Sequence, residues 1–323
     1  MNLAIAEVPE VTMLQTTLKR AVSCSGMGLH SGRTVNLKLL PAPEDTGIQF
    51  FAKNGSSTKK IAAVPETVSA TGLSTTVGRG DAHIGTVEHL LAAVRGLEID
   101  NIAIEVEGGE APIMDGSAAP FVFLLRSAGI RMQSRPRTVY ALLKPFAMER
   151  DGKWIKARPH HGFRVDCSID FRHPAIGVQR MSCEVTAESF THRLAKARTF
   201  GFLRDVENLQ RNGLALGGSL DNAVVLDDFS VINVEGLRFS DEFVRHKLLD
   251  FIGDMALLDK PLHGHFEIHC SGHTLNNTFL RTLNANRDIY LREVSMMHLG
   301  AEPAFLPAAA RVRASRESVP VAG

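Results

Sequence analysis

Apolar residues along this chain follow two spacings. Strand-like runs occupy residues 18–24, 34–40 and 47–51. Helical spacing takes over at 86–97, followed by a strand at 101–106 and a helix at 118–128. The second half repeats the order, with strands at 138–143, 153–158 and 164–171, a helix at 240–258, a strand at 264–268 and a helix at 274–285. Both halves end helix–strand–helix after several strands, which predicts a duplicated α+β chain. A polar stretch at 131–137, with Pro136, reads as the boundary. The second half carries extra chain at about 199–228, holding Gly213, Gly217 and Gly218.

The long helix of the second half is the richest in chemistry. Its apolar positions are Phe243, Leu248, Leu249, Phe251 and Ile252. His246 and Asp250 stand four apart, so both project from one face and could grip one metal ion. Asp254 lies about 12 Å along the axis from His246 and about 80° around it, a position that suits orienting a neighbour rather than joining the ion. Two further segments supply partners. Glu88 directly precedes His89 at the start of the first-half helix, and His273 follows Ser271-Gly272 just before the last helix. Two histidines and a carboxylate, with a glutamate and a histidine left over, make up the kit of a hydrolytic zinc site. His89 and His246 occupy corresponding helices of the two halves. Packing the halves face to face would bring them to one interface, where ligand sites are favoured.

Each residue also has a plainer reading. An i, i+4 polar pair often decorates a solvated face, Lys247 by default does the same, and Glu88 could simply favour a helix dipole. A non-haem iron oxygenase also uses two histidines and a carboxylate, but has no evident use for Glu88 and His273. A structural metal would need a fourth protein ligand, and none stands out.

Composition narrows the classes. Hydrophobic residues make up 44% and charged residues 22%, ordinary for a globular protein, and the 323-residue length suits two domains. The net charge of +1 gives no electrostatic case for nucleic acid. No apolar run approaches the ~20 residues of a membrane span, and the first residues lack a basic n-region. Cys24, Cys167, Cys183 and Cys270 form no C-x-x-C pair and read as free thiols of a reducing cytoplasm. The segment Gly26-Met-Gly-Leu-His-Ser-Gly32 has the wrong spacing for a dinucleotide loop. H-E-x-x-H, G-x-S-x-G and P-C-x-x-C are absent.

Several blocks together resemble a known family. They are Gly26–Gly32, Ser74-Thr-Thr76, Gly85-Thr-Val-Glu-His-Leu90, Pro112-Ile-Met-Asp-Gly-Ser117, Ala197-Arg-Thr-Phe-Gly-Phe202, Arg245-His-Lys-Leu-Leu-Asp250 and Ser271-Gly-His-Thr-Leu-Asn-Asn277. In order over residues 17–290, they resemble the zinc-dependent UDP-3-O-acyl-N-acetylglucosamine deacetylases of lipid A biosynthesis.

The resemblance implies one catalytic zinc, or iron(II) in the cell, on His89, His246 and Asp250. It implies Glu88 as base, His273 as acid oriented by Asp254, and Thr199 at the carbonyl oxygen. Lys247, Phe200 and Gly218 would serve the substrate, an acylated UDP-sugar losing acetate in the committed step of lipid A synthesis. The implied architecture is a two-domain, duplicated β-α-α-β sandwich packed face to face. Residues 16–132 would be a domain with a small β insert and 138–295 a domain with a βαβ insert at about 199–228, while residues 1–15 and 300–323, outside the resemblance, read as a flexible leader and a flexible tail. The insert would form a hydrophobic passage for the acyl chain. The protein is expected to be a cytoplasmic monomer with no membrane span and no nucleic-acid partner. One departure is Cys270, where some members carry a basic residue near the nucleotide.

Overall fold

The computed structural model describes residues 13–296. Residues 1–12 of the expected leader and the whole expected tail lie outside the described residues. The fold is α+β and built in two similar halves.

The first half centres on a five-stranded sheet in the order Val22–Met27, Thr34–Pro41, Ile102–Glu107, Ile48–Asn54, Ser57–Ala62. Period-2 patterning explains its central strands: Val35, Leu37 and Leu39 point inward and are essentially buried, while the residues between them face out. The helices Glu88–Gly96 and Ala119–Ala128 belong to this half and pack against each other.

A seven-stranded sheet forms the second half, with Leu262–His269 as its spine. That strand runs parallel to Thr138–Leu142 and Phe163–Phe171 and antiparallel to Lys153–Arg158. The helices Glu242–Met255 and His273–Ala285 pack on this sheet and on each other. Phe243, Leu248, Leu249, Phe251 and Ile252 are all at most 1% exposed. Such complete burial is expected of a helix enclosed on more than one side. Its other side meets the Glu88–Gly96 helix of the first half, so the two helical layers face each other between the two sheets.

Each half carries a small addition. In the first, Val68–Ala70, Thr76–Arg79 and Ala82–Ile84 form a three-stranded sheet. In the second, Phe200–Phe202 and Val224–Leu226 pair in parallel, with the Leu203–Arg211 helix between them.

Several expected boundaries move. The run at 18–24 is two strands, Leu14–Leu18 and Val22–Met27, broken at Lys19–Ala21. Leu14–Leu18 pairs with Ile130–Pro136, so the polar stretch read as a boundary is itself a strand of a two-stranded ribbon. Its polarity reflects the exposure of this one strand, from which the amides of Ser134 and Arg135 donate to Glu44. Residues 13–15, read as leader, belong here too: Gln15 is buried and bonded to Asp45 and Asn101. The first-half helix starts at Glu88 instead of Thr86, because Thr86 has a left-handed backbone (φ 55°). Its hydroxyl is engaged by Glu110 at 2.8 Å. His273 is the first residue of its helix instead of part of the preceding turn.

Candidate active site

The site lies where the two helical layers touch. Gly253 allows that contact, since a Cβ there would overlap the Glu88 backbone carbonyl. The close approach sets Glu88 and His89, at the head of one helix, against His246, Asp250 and Asp254 along the other.

His89, His246 and Asp250 are buried, and each offers a ligand atom within 4.8 Å of the other two. The Nε2 atoms of His89 and His246 stand 3.6 and 3.3 Å from Asp250 Oδ1. Two tetrahedral ligands, each ~2.0–2.1 Å from a zinc ion, would be about 3.3 Å apart, so the spacing fits. The ring of His246 donates from Nδ1 to the Ala197 carbonyl at 3.1 Å, which leaves Nε2 with its lone pair free. Burial pushes the His246 pKa down to about 3, so the ring is neutral and able to ligate. Asp250 Oδ1 is buried and has no hydrogen-bond partner. A buried carboxylate oxygen left unpaired in this way is costly unless a cation takes it up.

The other oxygen of Asp250 accepts from Lys247 Nζ at 2.8 Å. Burial alone would raise the Asp250 carboxyl, but His246 and Lys247 outweigh it and hold the group well below the usual range. Lys247 is therefore not a solvated-face lysine. Its side chain is 26% exposed, and the ammonium sits 5.5 Å from the centre of the Phe200 ring. The Phe200 ring in turn packs edge-on to His246 and Phe243.

Glu88 and His273 flank the trio. Glu88 Oε2 accepts the Thr75 amide at 3.0 Å, while Oε1 stands 4.0 Å from His273 Nε2. Burial raises the Glu88 carboxyl, partly offset by the nearby His273 and His89. His273 gives Nδ1 to Asp254 Oδ2 at 2.9 Å, so Asp254 turns toward the histidine, as its place on the helix predicts. Burial alone would depress the imidazole. The Asp254 carboxylate, with Glu88 and Asp250 adding to it, carries its pKa up to about 10 instead.

The second-half addition supplies the remaining expected residues. Thr199 is half-buried, its backbone held by Gly116 and Val224. The preceding Arg198 is buried and ion-paired to the fully buried Glu242 at 2.9 Å, which pins Ala197 and Thr199 beside the long helix. Gly217 and Gly218 lie farther off, in a loop that docks on residues 28–30 through hydrogen bonds from Leu216 and Gly217. The Gly218 amide donates to the Ala215 carbonyl at 3.1 Å, and a Cβ there would meet Ala215 and Leu29. Cys270 has a left-handed backbone (φ 47°), and its sulfur accepts the Asp170 amide at 3.2 Å. All four cysteines are free.

Four contributors have no role in the sequence reading, although Thr75 and Asn276 lie within its motif blocks. Thr75 contacts both Glu88 and Asp254. Asn276 donates to Asp254 Oδ2 at 2.8 Å. Glu110 accepts from Thr86 and from the amides of His30 and Ser31, so the Gly26–Gly32 segment is organised by a buried carboxylate. Gly253 is the fourth, and a glycine inside an otherwise strong helix is the signal that could have found it.

Comparison with known proteins agrees with this geometry. The model of the UDP-3-O-acyl N-acetylglycosamine deacetylase family matches residues 15–285. The chain is 59% identical over 305 residues to the UDP-3-O-acyl-N-acetylglucosamine deacetylase of Oleidesulfovibrio alaskensis, covering 92% of this chain and 100% of that one. It is 59% identical over 300 residues to the enzyme of the same name from Nitratidesulfovibrio vulgaris, covering 93% and 97%. With the Haemophilus influenzae enzyme of that name it shares 46% over 279 residues, 85% and 92% of the two chains. With the family model spanning most of the chain and such relatives aligned nearly end to end, this chain belongs to the UDP-3-O-acyl-N-acetylglucosamine deacetylase family.

Proposed function

We infer that His89, His246 and Asp250 hold one catalytic zinc ion, with iron(II) as the other candidate, and that Glu88 and His273 are the base and acid beside it. The reaction is removal of the N-acetyl group from UDP-3-O-acyl-N-acetylglucosamine, releasing acetate and the free amine in lipid A biosynthesis. The orphaned Asp250 Oδ1 between two histidine Nε2 atoms carries the metal assignment.

A zinc ion at this position would polarise the acetamide carbonyl and acidify a water. The protein's own residues do the rest. Glu88 takes a proton from the attacking water through Oε1, its other oxygen being held by Thr75. A buried carboxyl with a raised pKa is a better base near neutrality than an exposed one. The Thr199 hydroxyl donates to the developing oxyanion. His273, kept protonated by Asp254, delivers a proton from Nε2 to the departing amine. Lys247 holds Asp250 in place and offers its charge to the substrate alongside Phe200. Thr199 and Phe200 lead directly into the second-half addition, which takes the acyl chain.

Every side chain in this scheme comes from one chain, which supports action as a monomer. Four free thiols and a nucleotide-sugar substrate suit the cytoplasm. The deciding experiment assays acetate release from acylated UDP-N-acetylglucosamine before and after chelation, with zinc or iron(II) added back. Undiminished turnover in verified metal-free protein would refute the assignment.

A further inference from the structure

We propose that Thr75 is a positioning residue that holds the base and the acid of this reaction in register. The proposal rests on Glu88 as base and His273 as acid. Thr75 is 1% exposed and uses all three of its polar groups on the site. Its amide donates to Glu88 Oε2 at 3.0 Å, and its hydroxyl donates to Asp254 Oδ1 at 2.6 Å. Its carbonyl accepts the amide of Val87, the residue before Glu88, at 3.2 Å.

These contacts are not interchangeable with others nearby. Asp254 Oδ2 is shared by His273 and Asn276, whereas the Thr75 hydroxyl is the partner of Oδ1. Two bonds on one oxygen leave the carboxylate free to turn about that end, and the bond to the other oxygen stops the turn. His273 is tied to Asp254 through Nδ1, so a turn of the carboxylate moves the Nε2 that faces the substrate. Thr75 also joins the two halves, with Glu88 in one and Asp254 in the other. One residue therefore sets the separation between the group that removes a proton and the group that returns one. A misplacement of about 1 Å at such groups can slow turnover about a hundredfold.

A merely structural bond between the halves provides the control. Asn284 donates to Glu66 at 2.7 Å between the halves, near the far end of the helix that His273 begins. The test compares Thr75→Val, Thr75→Ser and Glu66→Ala, with Thr75→Ala replacing valine if that variant does not fold. Thr75→Val should lower kcat about tenfold to a hundredfold, leave KM within about threefold, and keep the bound metal. Thr75→Ser restores the hydroxyl and should recover kcat to within about fivefold of wild type, and Glu66→Ala should match wild type. Wild-type kcat in Thr75→Val, no recovery in Thr75→Ser, loss of metal, or an equal fall in Glu66→Ala would each overturn the proposal. Glu88→Ala and His273→Ala separate the two levels. If both keep full turnover, the base and acid assignment fails and takes this proposal with it. If both collapse while Thr75→Val does not, only the role of Thr75 fails.

Discussion

Gly253 faces the Glu88 carbonyl across the seam between the two halves, at a distance that leaves no room for a Cβ. Replacing an ordinary helix-interior glycine by alanine gains about 1 kcal/mol of helix propensity. At this position the methyl group would collide with backbone, which cannot swing aside as a flexible side chain can. Overpacking of that kind costs about 1–3 kcal/mol, so the collision outweighs the propensity. Gly253→Ala should lower stability in urea unfolding and weaken metal binding, because His89 moves with Glu88. A stabilised Gly253→Ala protein would mean that the helices are not in contact here.

The proposed metal ligands and their neighbours divide into groups with different expected behaviour. His89→Ala and His246→Ala should lose tightly bound metal. Glu88→Ala and His273→Ala should keep it and lose about a hundredfold or more in kcat, within the range of general acid–base catalysis. Metal analysis beside steady-state kinetics on the four variants checks the division. Loss of metal from either of the second pair would move that residue into the ligand set.

Much of this site is legible in the sequence, for a geometric reason. His246, Asp250 and Asp254 share one helix, and 100° per residue determines which pair shares a face and which residue turns away. Asp254 accordingly meets His273 instead of Asp250's neighbours. What stays hidden is carried by loops and backbone. The carbonyl of Ala197 orients His246, and the amide of Thr75 orients Glu88. Such atoms exist at every position and leave no trace in residue type. The ribbon of Leu14–Leu18 with Ile130–Pro136 is hidden for another reason: its pairing is long-range, and the largely exposed Ile130–Pro136 strand lacks the apolar alternation that announces a buried one. The duplicated architecture is easier to read, because each half repeats its periodic elements in the same order.

The coupling of His273 to Asp254 gives a pH dependence with a definite sign. The folded-state pKa of His273 is raised from 6.5 to about 10. A group raised in this way contributes stability that is fully present below its unfolded pKa and is lost as pH climbs through about 10. Asp254→Asn removes the main charge that opposes burial and leaves only Glu88 and Asp250 against it, so the pKa falls. In metal-free protein, NMR should therefore find His273 protonated throughout the neutral range in the wild type and titrating far lower in Asp254→Asn. The stability gap between the two proteins should be widest below about pH 6 and close under alkaline conditions. A His273 that titrates alike in both would show that Asp254 does not hold its proton.

The acyl chain offers the strongest test of what the second-half addition contributes. The reacting bond lies in a small acetamide, so the chemistry needs no fatty chain. Yet Leu203, Leu214, Leu216 and Leu220, all in or beside this addition, are 37–52% exposed. Leucines left partly in water along one segment suit an apolar ligand. Burying a methylene stabilises by about 0.8 kcal/mol, so about five of them amount to about 4 kcal/mol, or a factor of ~10³. Part of that energy can hold the acetamide at the site and so appear in kcat as well as KM. UDP-N-acetylglucosamine without the 3-O-acyl group should accordingly fall by at least ~10³ in kcat/KM. Gly217 and Ala215 are poor places to narrow the proposed passage. A Cβ at Gly217 would strike the Gly28 carbonyl, and Ala215 already has a left-handed backbone (φ 51°), so bulk at either would displace the loop. Leu216→Asp is the cleaner variant, since that side chain is 52% exposed. It should penalise acylated substrate and spare the slow reaction of the unacylated sugar, compressing the ratio. Equal kcat/KM for the two substrates in the wild type would mean that the addition does not read the acyl chain.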